Sequence, residues 1–523
     1  MTWKHLAACV LASGLSIACS PSESDDNNLT FTGGEDTGTD TGTDADTGDE
    51  DSGTETGAMC TEPLDECGGE CVDLESDLQH CGACDNGCAE GEQCEVGVCT
   101  SKLWRGAELL EFDDAGNADT PGISSDAEGN AVVVWSQSDG SPLTHIGAIR
   151  YVTASNSWSS AKPIEFDNAG GAFKPEVSVA TGGDAVAVWE QGNGGSLQDA
   201  LSNRYDTASE AWGSVQPLET SSAGNATNPQ VATAGNSTAF SVWTQVVGSS
   251  LNVWANRFYV PSNLWLGAEL IETNDIGPAF FPQICADANG NALTVWIQWD
   301  GARNNVWSNR FDATTDTWGT AALIETNDVG TTSAPQVSCS NNGDAVAVWT
   351  QNDGTYDNVW VRSFDATALL WGVPTLIEDE DGDASRPQIG MSDTGNIFAT
   401  WMQRDNGKFN LWVNSYSASL STWGRTELLE TDDSGNAWDP QVSVNANGSA
   451  VFVWAQSDGA VQSIWAKRFD VGTNMWSAPT LLETDDTGDA ELPQVATDAS
   501  GNAFVTWTQF DGMRTSLYAN VFR

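Results

Sequence analysis

Residues 282–325 read PQICADANGNALTVWIQWDGARNNVWSNRFDATTDTWGTAALIE. Apolar and polar side chains alternate along this stretch with a period of two, and such a period indicates β-strands. Gly290 stands at the turn of a first hairpin, and Asp300-Gly301 is a dipeptide typical of a second one. The stretch therefore predicts four antiparallel strands, of which the last is WGTAALIE.

The same unit recurs eight times in the second part of the chain. A proline opens each first strand, and successive prolines are 52 to 54 residues apart. A tryptophan follows every proline by fourteen residues, which gives the pairs Pro121 and Trp135, Pro175 and Trp189, Pro229 and Trp243, Pro282 and Trp296, Pro335 and Trp349, Pro387 and Trp401, Pro440 and Trp454, and Pro493 and Trp507. Four strands per unit at this period predict an all-β, eight-bladed β-propeller over residues 103–523.

The two ends of this region complement each other. The last unit stops at Arg523 after three strands, whereas WRGAELLE at 104–111 has the pattern of a fourth strand without the other three. We expect this N-terminal strand to complete the last blade, because the ring then has no open sheet edge.

The first eighteen residues have the pattern of an export signal. Lys4 and His5 are followed by an apolar stretch of 13 residues, Leu6 to Ala18, which is too short to span a bilayer. LSIAC at 15–19 resembles the lipobox of bacterial lipoproteins, and the resemblance implies that Cys19 carries a lipid; an ordinary secretory signal is the alternative. We therefore expect an exported lipoprotein of the bacterial outer membrane or cell surface, with membrane contact only through the N-terminal lipid.

Two short regions separate the signal from the propeller. Residues 19–58 form an acidic linker rich in Thr, Asp and Gly, which is expected to be disordered. Residues 59–100 hold eight cysteines, and this density in an exported chain predicts a small module with four disulfides, with zinc as the competing reading of CGAC at 81–84. The cysteines are Cys60, Cys67, Cys71, Cys81, Cys84, Cys88, Cys94 and Cys99. The stretch CVDLESDLQHCGACDNGCAEGEQCEVGVC resembles the stigma-specific-protein family, which implies no enzymatic activity and leaves the pairing of the cysteines open.

The remaining two cysteines lie in consecutive blades. Cys285 stands three residues after the proline of blade 4, and Cys339 stands four residues after that of blade 5. Side chains alternate between the faces of a strand, so the two sulfurs point toward each other across neighbouring blades. We predict a Cys285–Cys339 disulfide, with two buried free thiols as the alternative.

Charge and histidine content restrict the function. The chain has 74 acidic and 19 basic residues, a net charge of −55, which argues against nucleic-acid partners. The propeller contains one histidine, His145, so a Ser-His-Asp or Cys-His site is not predicted. The acidic loops between blades, such as DEDGD at 379–383, offer oxygen ligands for calcium at Asp379, Asp381 and Asp383; no other cofactor is indicated.

Eight-fold repetition makes each repeated residue an ambiguous candidate for a site, so the residues that break the repetition are the best indicators. They cluster just before the repeated prolines, where the channel of a propeller opens: Lys174, Phe280, Phe281, Arg386, Trp438 and Asp439. We predict a monomeric, surface-tethered, non-catalytic binding protein whose acidic loop face recognises a polysaccharide or protein partner. The alternative is a propeller-type glycan hydrolase or lyase that uses symmetry-broken carboxylates at the channel mouth.

Overall fold

The computed structural model describes residues 64–523, with gaps at 68–69, 75–76, 78, 89–92, 101, 112–115, 141–142, 166–169, 222–223, 236, 274–275, 327–328, 406, 432–434, 458, 484 and 486. The expected signal peptide, the lipidation site Cys19, the acidic linker and Cys60 lie outside the described residues. All described residues belong to one compact unit, Ala58–Arg523.

Eight antiparallel sheets form a closed ring, so the expected eight-bladed propeller is confirmed. In each blade the strands follow one another from the inside outward, and the first strands of neighbouring blades contact each other, including those of blades 8 and 1. The first strands of blades 1 to 8 are β6 (Ala118–Ser125), β11 (Ala172–Val179), β16 (Ala226–Ala234), β21 (Ala279–Ala286), β26 (Thr332–Cys339), β31 (Ala384–Met391), β36 (Ala437–Val444) and β41 (Ala490–Thr497).

The second and third strands continue each sheet outward. The second strands are β7 (Ala131–Ser138), β12 (Ala185–Gly192), β17 (Thr238–Val247), β22 (Ala292–Trp299), β27 (Ala345–Asn352), β32 (Ile397–Asp405), β37 (Ala450–Ser457) and β42 (Ala503–Phe510). The third strands are β8 (Thr144–Val152), β13 (Gln198–Asp206), β18 (Ser250–Tyr259), β23 (Asn304–Asp312), β28 (Asp357–Asp365), β33 (Lys408–Ser417), β38 (Gln462–Asp470) and β43 (Thr515–Phe522). One 3-10 helix, Val260–Ser262, follows β18.

The outermost strand of blades 1 to 7 is divided into two short pieces, which differs from the single fourth strand expected. The pieces are β9 (Ser157–Trp158) and β10 (Lys162–Pro163), β14 (Ala211–Trp212) and β15 (Gln216–Pro217), β19 (Leu264–Trp265) and β20 (Glu269–Leu270), β24 (Thr317–Trp318) and β25 (Ala322–Leu323), β29 (Leu370–Trp371) and β30 (Thr375–Leu376), β34 (Thr422–Trp423) and β35 (Glu427–Leu428), and β39 (Met475–Trp476) and β40 (Thr480–Leu481). In blade 4 the side chain of Asn309 interrupts the ladder, because its amide donates to Gly319 O at 3.2 Å and to Ile271 O of blade 3 at 2.9 Å.

Blade 8 is completed by the N-terminal strand, as expected. Strand β5 (Glu108–Leu109) pairs with β43, and Leu110 N donates to Leu517 O at 2.9 Å. Leu103 and Arg523 exchange two backbone hydrogen bonds of 3.1 Å nearby. The ring is therefore closed by hydrogen bonds between the two ends of the propeller region.

The repeated tryptophans belong to a buried hydrogen-bond network. In blade 4, Trp296 Nε1 donates to Gln298 Oε1 at 3.1 Å, and Gln298 Nε2 donates to Glu272 Oε2 at 2.9 Å. Glu272 ends blade 3, so each such network joins two neighbouring blades. All eight tryptophans are fully buried and donate to the glutamine two residues later.

The cysteine-rich module contains four short strands, β1 (Asp65–Cys67), β2 (Glu70–Val72), β3 (Gln93–Glu95) and β4 (Val98–Thr100). Its disulfides include Cys67–Cys84, Cys81–Cys94 and Cys88–Cys99, and Cys71 is also disulfide-bonded. Neither cysteine of CGAC pairs with the other, and their sulfurs are in disulfides rather than available to zinc.

The disulfide predicted between blades 4 and 5 is present, with the Cα atoms of Cys285 and Cys339 5.6 Å apart. At two other blade junctions the equivalent positions hold a pair of hydroxyl side chains. Ser178 Oγ lies 2.9 Å from Thr233 Oγ1 between blades 2 and 3, and Ser443 Oγ lies 2.8 Å from Thr497 Oγ1 between blades 7 and 8. The disulfide therefore replaces a hydrogen bond that recurs between innermost strands.

Candidate binding site at the channel mouth

The mouth face is defined here as the face that carries the connections between blades and the hairpins between second and third strands. The opposite, rear face carries the other turns. Every first strand begins on the mouth face with a register shift just before its proline. The residue before the proline has a positive φ in all eight blades, between 47° and 55°. This ring consists of Thr120, Lys174, Asn228, Phe281, Ala334, Arg386, Asp439 and Leu492.

Positive φ is unusual for residues other than glycine, and it re-aims these eight side chains at the start of the inner strands. The backbone repeats in every blade, whereas the ring contains two cations, one acid, one amide, one hydroxyl and three apolar side chains. Four of the predicted site residues, Lys174, Phe281, Arg386 and Asp439, belong to this ring. Phe281 is 50% exposed.

A second ring lies one step deeper in the channel, at the residue after each proline. Six blades have glutamine there, while blade 1 has Gly122 and blade 2 has Glu176. Gln230 Nε2 donates to Glu176 Oε1 at 3.4 Å. Burial raises the pKa of Glu176 to about 7, although the hydrogen bond from Gln230 opposes the shift.

Lys174 belongs to a compact polar cluster. Its Nζ lies 3.1 Å from Glu190 Oε1 and donates to Asn228 Oδ1 at 3.1 Å. Glu190 Oε2 also accepts from Asn228 N at 3.2 Å. Glu190 is buried, and no equivalent position in the other seven blades holds an acid. Its carboxylate therefore needs the lysine, which it holds at the channel mouth.

The second cation is paired on the other side of the ring. Arg386 Nη1 contacts Asp439 Oδ1 of the next blade. Blade 6 stands opposite blade 2 in a ring of eight, so Lys174 and Arg386 do not converge.

The two aromatic candidates that precede the ring residues point away from a shared pocket. Trp438 packs on Phe409 of the neighbouring blade, with ring centroids 4.7 Å apart. Phe280 packs edge-to-face on Phe281, with centroids 5.3 Å apart, and also contacts the apolar core between blades 4 and 5. Packing between blades therefore accounts for much of the surface of Trp438 and Phe280.

A cavity of about 230 Å³ opens at the mouth beside blades 8, 1, 2 and 3. Its walls combine hydrogen-bonding groups with apolar surface from three prolines and a leucine. The polar and apolar side chains of the two rings that line it are Thr120, Lys174, Glu176, Asn228, Gln230, Leu492 and Gln494. Sequence reasoning identified only Lys174 of this set; comparison of equivalent positions across the eight repeats would have indicated Glu176 and Glu190 as well.

Two further departures from symmetry lie where third strands begin. His145 Nδ1 contacts Glu165 Oε1 and its Nε2 lies 3.2 Å from Asp139 Oδ2. Burial lowers the pKa of His145, but the hydrogen bonds with Glu165 and Asp139 outweigh it and raise the pKa overall.

In blade 2 the equivalent residue is Asp199, which faces Glu219. Burial, together with the nearby charge of Asp199, raises the pKa of Glu219 to about 8.

The three acidic residues proposed as calcium ligands are not gathered by the structure. Among the described residues, the only three His, Cys, Asp or Glu side chains with ligand atoms within 4.8 Å of one another are Cys81, Cys88 and Cys99. Asp383 Oδ1 instead accepts from Asp357 N at 3.3 Å. The arrangement of Asp379, Asp381 and Asp383 gives no support to a calcium site.

Residues 38–102 match the stigma-specific STIG1-like protein family. The match covers the cysteine-rich module and agrees with the resemblance of its sequence, and it leaves the propeller outside. No curated protein matches the chain. Within the described part of the chain, no helix has the length and apolarity that crossing a membrane would require.

Several solved structures are similar to this chain at low identity. An ulvan lyase is 11% identical with a TM-score of 0.45, over 70% of this chain and 99% of its own. The intramolecular trans-sialidase from Ruminococcus gnavus is 10% identical with a TM-score of 0.40, over 70% and 98%. The Dos1 propeller is 10% identical with a TM-score of 0.44, over 80% and 95%. We draw no functional argument from similarities at this level.

Proposed function

We propose that the propeller is a non-catalytic binding protein that recognises a glycan at the channel mouth. The observation that carries the proposal is the ring of eight residues before the prolines. A backbone repeated eight times holds eight chemically different side chains at one opening, as a binding site on a symmetric scaffold requires. Backbone strain at these positions is also typical of binding sites.

The cavity beside blades 8, 1, 2 and 3 favours a sugar over a larger protein element. Amide groups of Asn228, Gln230 and Gln494 offer donors and acceptors for hydroxyl groups, and Leu492 offers an apolar surface. About 230 Å³ suits one or two sugar units rather than a helix. The net charge of −55 disfavours an anionic polysaccharide, so the glycan proposed is neutral.

Affinity electrophoresis in gels that contain neutral polysaccharides tests this proposal. We expect at least one polysaccharide to retard the protein, and Gln230→Leu to abolish the retardation. Gln336→Leu, at the equivalent position of blade 5 and outside the lining of this cavity, is the matched control and should behave like the wild type. If no polysaccharide retards the protein, or if both variants lose retardation equally, the proposed site is wrong. If a protein partner instead binds through the same residues, the ligand is a protein and not a glycan.

The enzymatic alternative rests on one observation, the pair of Asp199 and Glu219 in blade 2, whose equivalents in blade 1 are His145 and Glu165. Glu219 and Glu165 are 7% and 4% exposed, which leaves little carboxylate surface for a substrate. Incubation with the same polysaccharides and assays for new reducing ends and for unsaturated products test it. Turnover that Glu219→Gln abolishes would establish the enzyme and overturn the binding-only proposal.

The proposal includes attachment of the propeller to the cell surface through a lipid on Cys19. LSIAC and the apolar stretch before it support this anchor. Cys19→Ala should move the protein from the membrane fraction into the soluble fraction while its thermal unfolding stays unchanged. Unchanged membrane fractionation would contradict the anchor.

A further inference from the structure

The rear face carries grooves between neighbouring blades at several junctions, and most of these grooves contain an arginine. In most blades the arginine position is the third residue from the end of the third strand. An aromatic residue follows it directly. In blades 1 to 8 it is occupied by Arg150, Arg204, Arg257, Arg310, Ser363, Ser415, Arg468 and Val521. Five of the eight positions thus have arginine, in a chain with few basic residues.

Three of the five arginines, Arg150, Arg257 and Arg468, lie over the aromatic ring of the following blade. Arg257 Cζ lies 5.0 Å from the ring centroid of Phe311, and Arg468 Cζ lies 3.7 Å from that of Phe522. Cation–π attraction favours this geometry. Each of these arginines therefore covers an aromatic ring that would otherwise face the groove.

Blade 2 shows the acidic part of the same arrangement. Arg204 Nη2 lies 2.6 Å from Asp184 Oδ2 and 2.9 Å from Asp206 Oδ1. One aspartate precedes the second strand of the blade, and the other ends its third strand. Arginines at this position thus use two kinds of partner in different blades: an aromatic ring for Arg257 and Arg468, and two carboxylates for Arg204.

The groove between blades 5 and 6 has these partners without the arginine. Ser363 occupies the arginine position, while Asp344 and Asp365 stand where blade 2 has Asp184 and Asp206. The aromatic residue of the next blade is Tyr416. All four line a cavity of about 500 Å³, together with Leu370 and Trp371. The groove between blades 1 and 2, which contains Arg150, has about 320 Å³.

The other two positions without arginine are filled from within. Phe398 packs on Phe469 with centroids 5.0 Å apart, and Phe504 packs on Tyr151 with centroids 5.1 Å apart. Each phenylalanine is the second residue of the second strand in its blade. The same position of blade 5 holds Val346. Blade 5 is the one repeat whose sequence has neither the arginine nor the phenylalanine.

We propose that the groove between blades 5 and 6 binds an arginine side chain of a partner protein. The guanidinium would lie over Tyr416, as Arg257 and Arg468 lie over rings in their grooves, and would pair with Asp344 and Asp365, as Arg204 pairs with Asp184 and Asp206. No arginine precedes Arg105, so the N-terminal segment of this chain cannot supply one. Leu370, which is exposed and lines the groove, provides apolar surface for a residue that flanks the arginine. This site is independent of the channel mouth.

Saturation-transfer NMR of the whole protein with the peptide acetyl-Gly-Leu-Arg-Gly-amide tests the proposal at physiological salt. Two further peptides have citrulline or lysine in place of arginine. We expect the arginine peptide to bind about tenfold more tightly than the citrulline peptide, because only the guanidinium pairs with the carboxylates, and more tightly than the lysine peptide.

Two variants with the same change of charge locate the site. Ser363→Arg supplies the missing arginine from the chain itself and should abolish preferential binding of the arginine peptide. Ser415→Arg adds the same charge to the next groove, which Phe398 already occupies, and should leave the binding unchanged. Equal binding of the arginine and citrulline peptides, or equal effects of the two variants, would overturn the proposal. Asp365→Asn should weaken the binding without filling the groove, which provides a second test if Ser363→Arg fails to fold.

Discussion

Each residue before a repeated proline is held in a conformation that its neighbours in sequence disfavour. A residue before proline normally adopts an extended conformation, whereas all eight here have positive φ. Such a backbone costs on the order of 1 to 3 kcal/mol per residue, and the register shift beside it fixes the direction of the side chain. The strain therefore maintains the geometry of the ring at the expense of stability.

Ala334 provides a direct measure of this strain, because its methyl group makes no polar contact that a substitution would remove. Its φ is 48°. Ala334→Gly should raise the free energy of unfolding by about 1 kcal/mol in urea titrations, since glycine adopts positive φ without steric cost. Ala322→Gly, in the exposed outer strand β25, should lower it. A destabilised Ala334→Gly would show that the backbone is not strained there.

The pair of Asp199 and Glu219 predicts an unusual dependence of stability on pH. The pKa of Glu219 is raised to about 8, so the folded state binds more protons than the unfolded state between about pH 4.5 and 8. The contribution of this group to stability is therefore present at low pH and is lost as the pH rises through the folded pKa. Neutralising Asp199 removes a repulsion that exists only when Glu219 is charged.

Asp199→Asn should therefore stabilise the protein by about 1 kcal/mol at pH 8 and by much less at pH 4.5. The equivalent pair in blade 3 is Asn252 and Glu272, in which the side-chain amide nitrogen of Asn252 donates to Glu272 Oε1 at 3.1 Å. Asn252→Asp is the reverse experiment and should destabilise the protein at pH 8. Urea titrations of both variants at the two pH values measure the difference, and equal shifts at both pH values would contradict the assignment.

At the scale of the strand, the Trp–Gln–Glu network joins most second strands to the glutamate that ends the neighbouring outer strand, as it does in blade 4. Gln298→Leu should cost about 2 to 4 kcal/mol, because Trp296 Nε1 and Glu272 Oε2 lose a buried partner. Gln403→Leu is the comparison. Gln403 Nε2 donates to a backbone oxygen, Glu380 O at 2.6 Å, so this substitution does not remove a hydrogen bond from a buried carboxylate. Thermal unfolding of both variants should rank Gln298→Leu as the more destabilised.

The disulfide between blades 4 and 5 offers a substitution that the molecule itself suggests. Cys285→Ser combined with Cys339→Thr recreates the pair formed by Ser178 and Thr233 between blades 2 and 3. The variant should fold but lose up to about 4 kcal/mol, from the loop entropy of a link that spans 54 residues. Reductant should lower the thermal midpoint of the wild type and leave that of the variant unchanged. Sensitivity of the variant to reductant would assign the effect to the cysteine-rich module instead.

The strands and their order were readable from the sequence because alternation and turn residues repeat eight times, and the opposite parity of Cys285 and Cys339 was enough to predict their bridge. The division of the fourth strand was not readable, because it depends on the Asn309 side chain reaching a carbonyl of another blade. The same limit applies to the site: Lys174 was found because a cation interrupts a repeated pattern. Comparison of the repeats marks Glu190 as unusual, but the pattern does not show that its carboxylate contacts Lys174.

At the scale of the whole molecule, closure of the ring depends on a single short strand. Leu110→Pro removes the hydrogen bond to Leu517 O and a buried side chain, which should cost about 3 kcal/mol or more. It should also free β43 as a sheet edge, so the variant should form dimers or aggregates in light scattering. Ile164→Pro removes the equivalent 2.9 Å bond to Ile146 O in blade 1, where chain connectivity holds the blade together. If Ile164→Pro aggregates as readily as Leu110→Pro, strand β5 has no special role in closing the ring.

The closing strand also decides how the propeller responds to mechanical force. A pull on the segment before Leu103 acts lengthwise along β5 and its flanking residues. The hydrogen bonds to β43 and Arg523 are spaced along this direction and lie across it. Bonds at Leu103, Arg105 and Leu110 then share the force in shear rather than breaking one after another. Rupture of this seam would separate the N-terminal strand from blade 8 and expose the edge of β43.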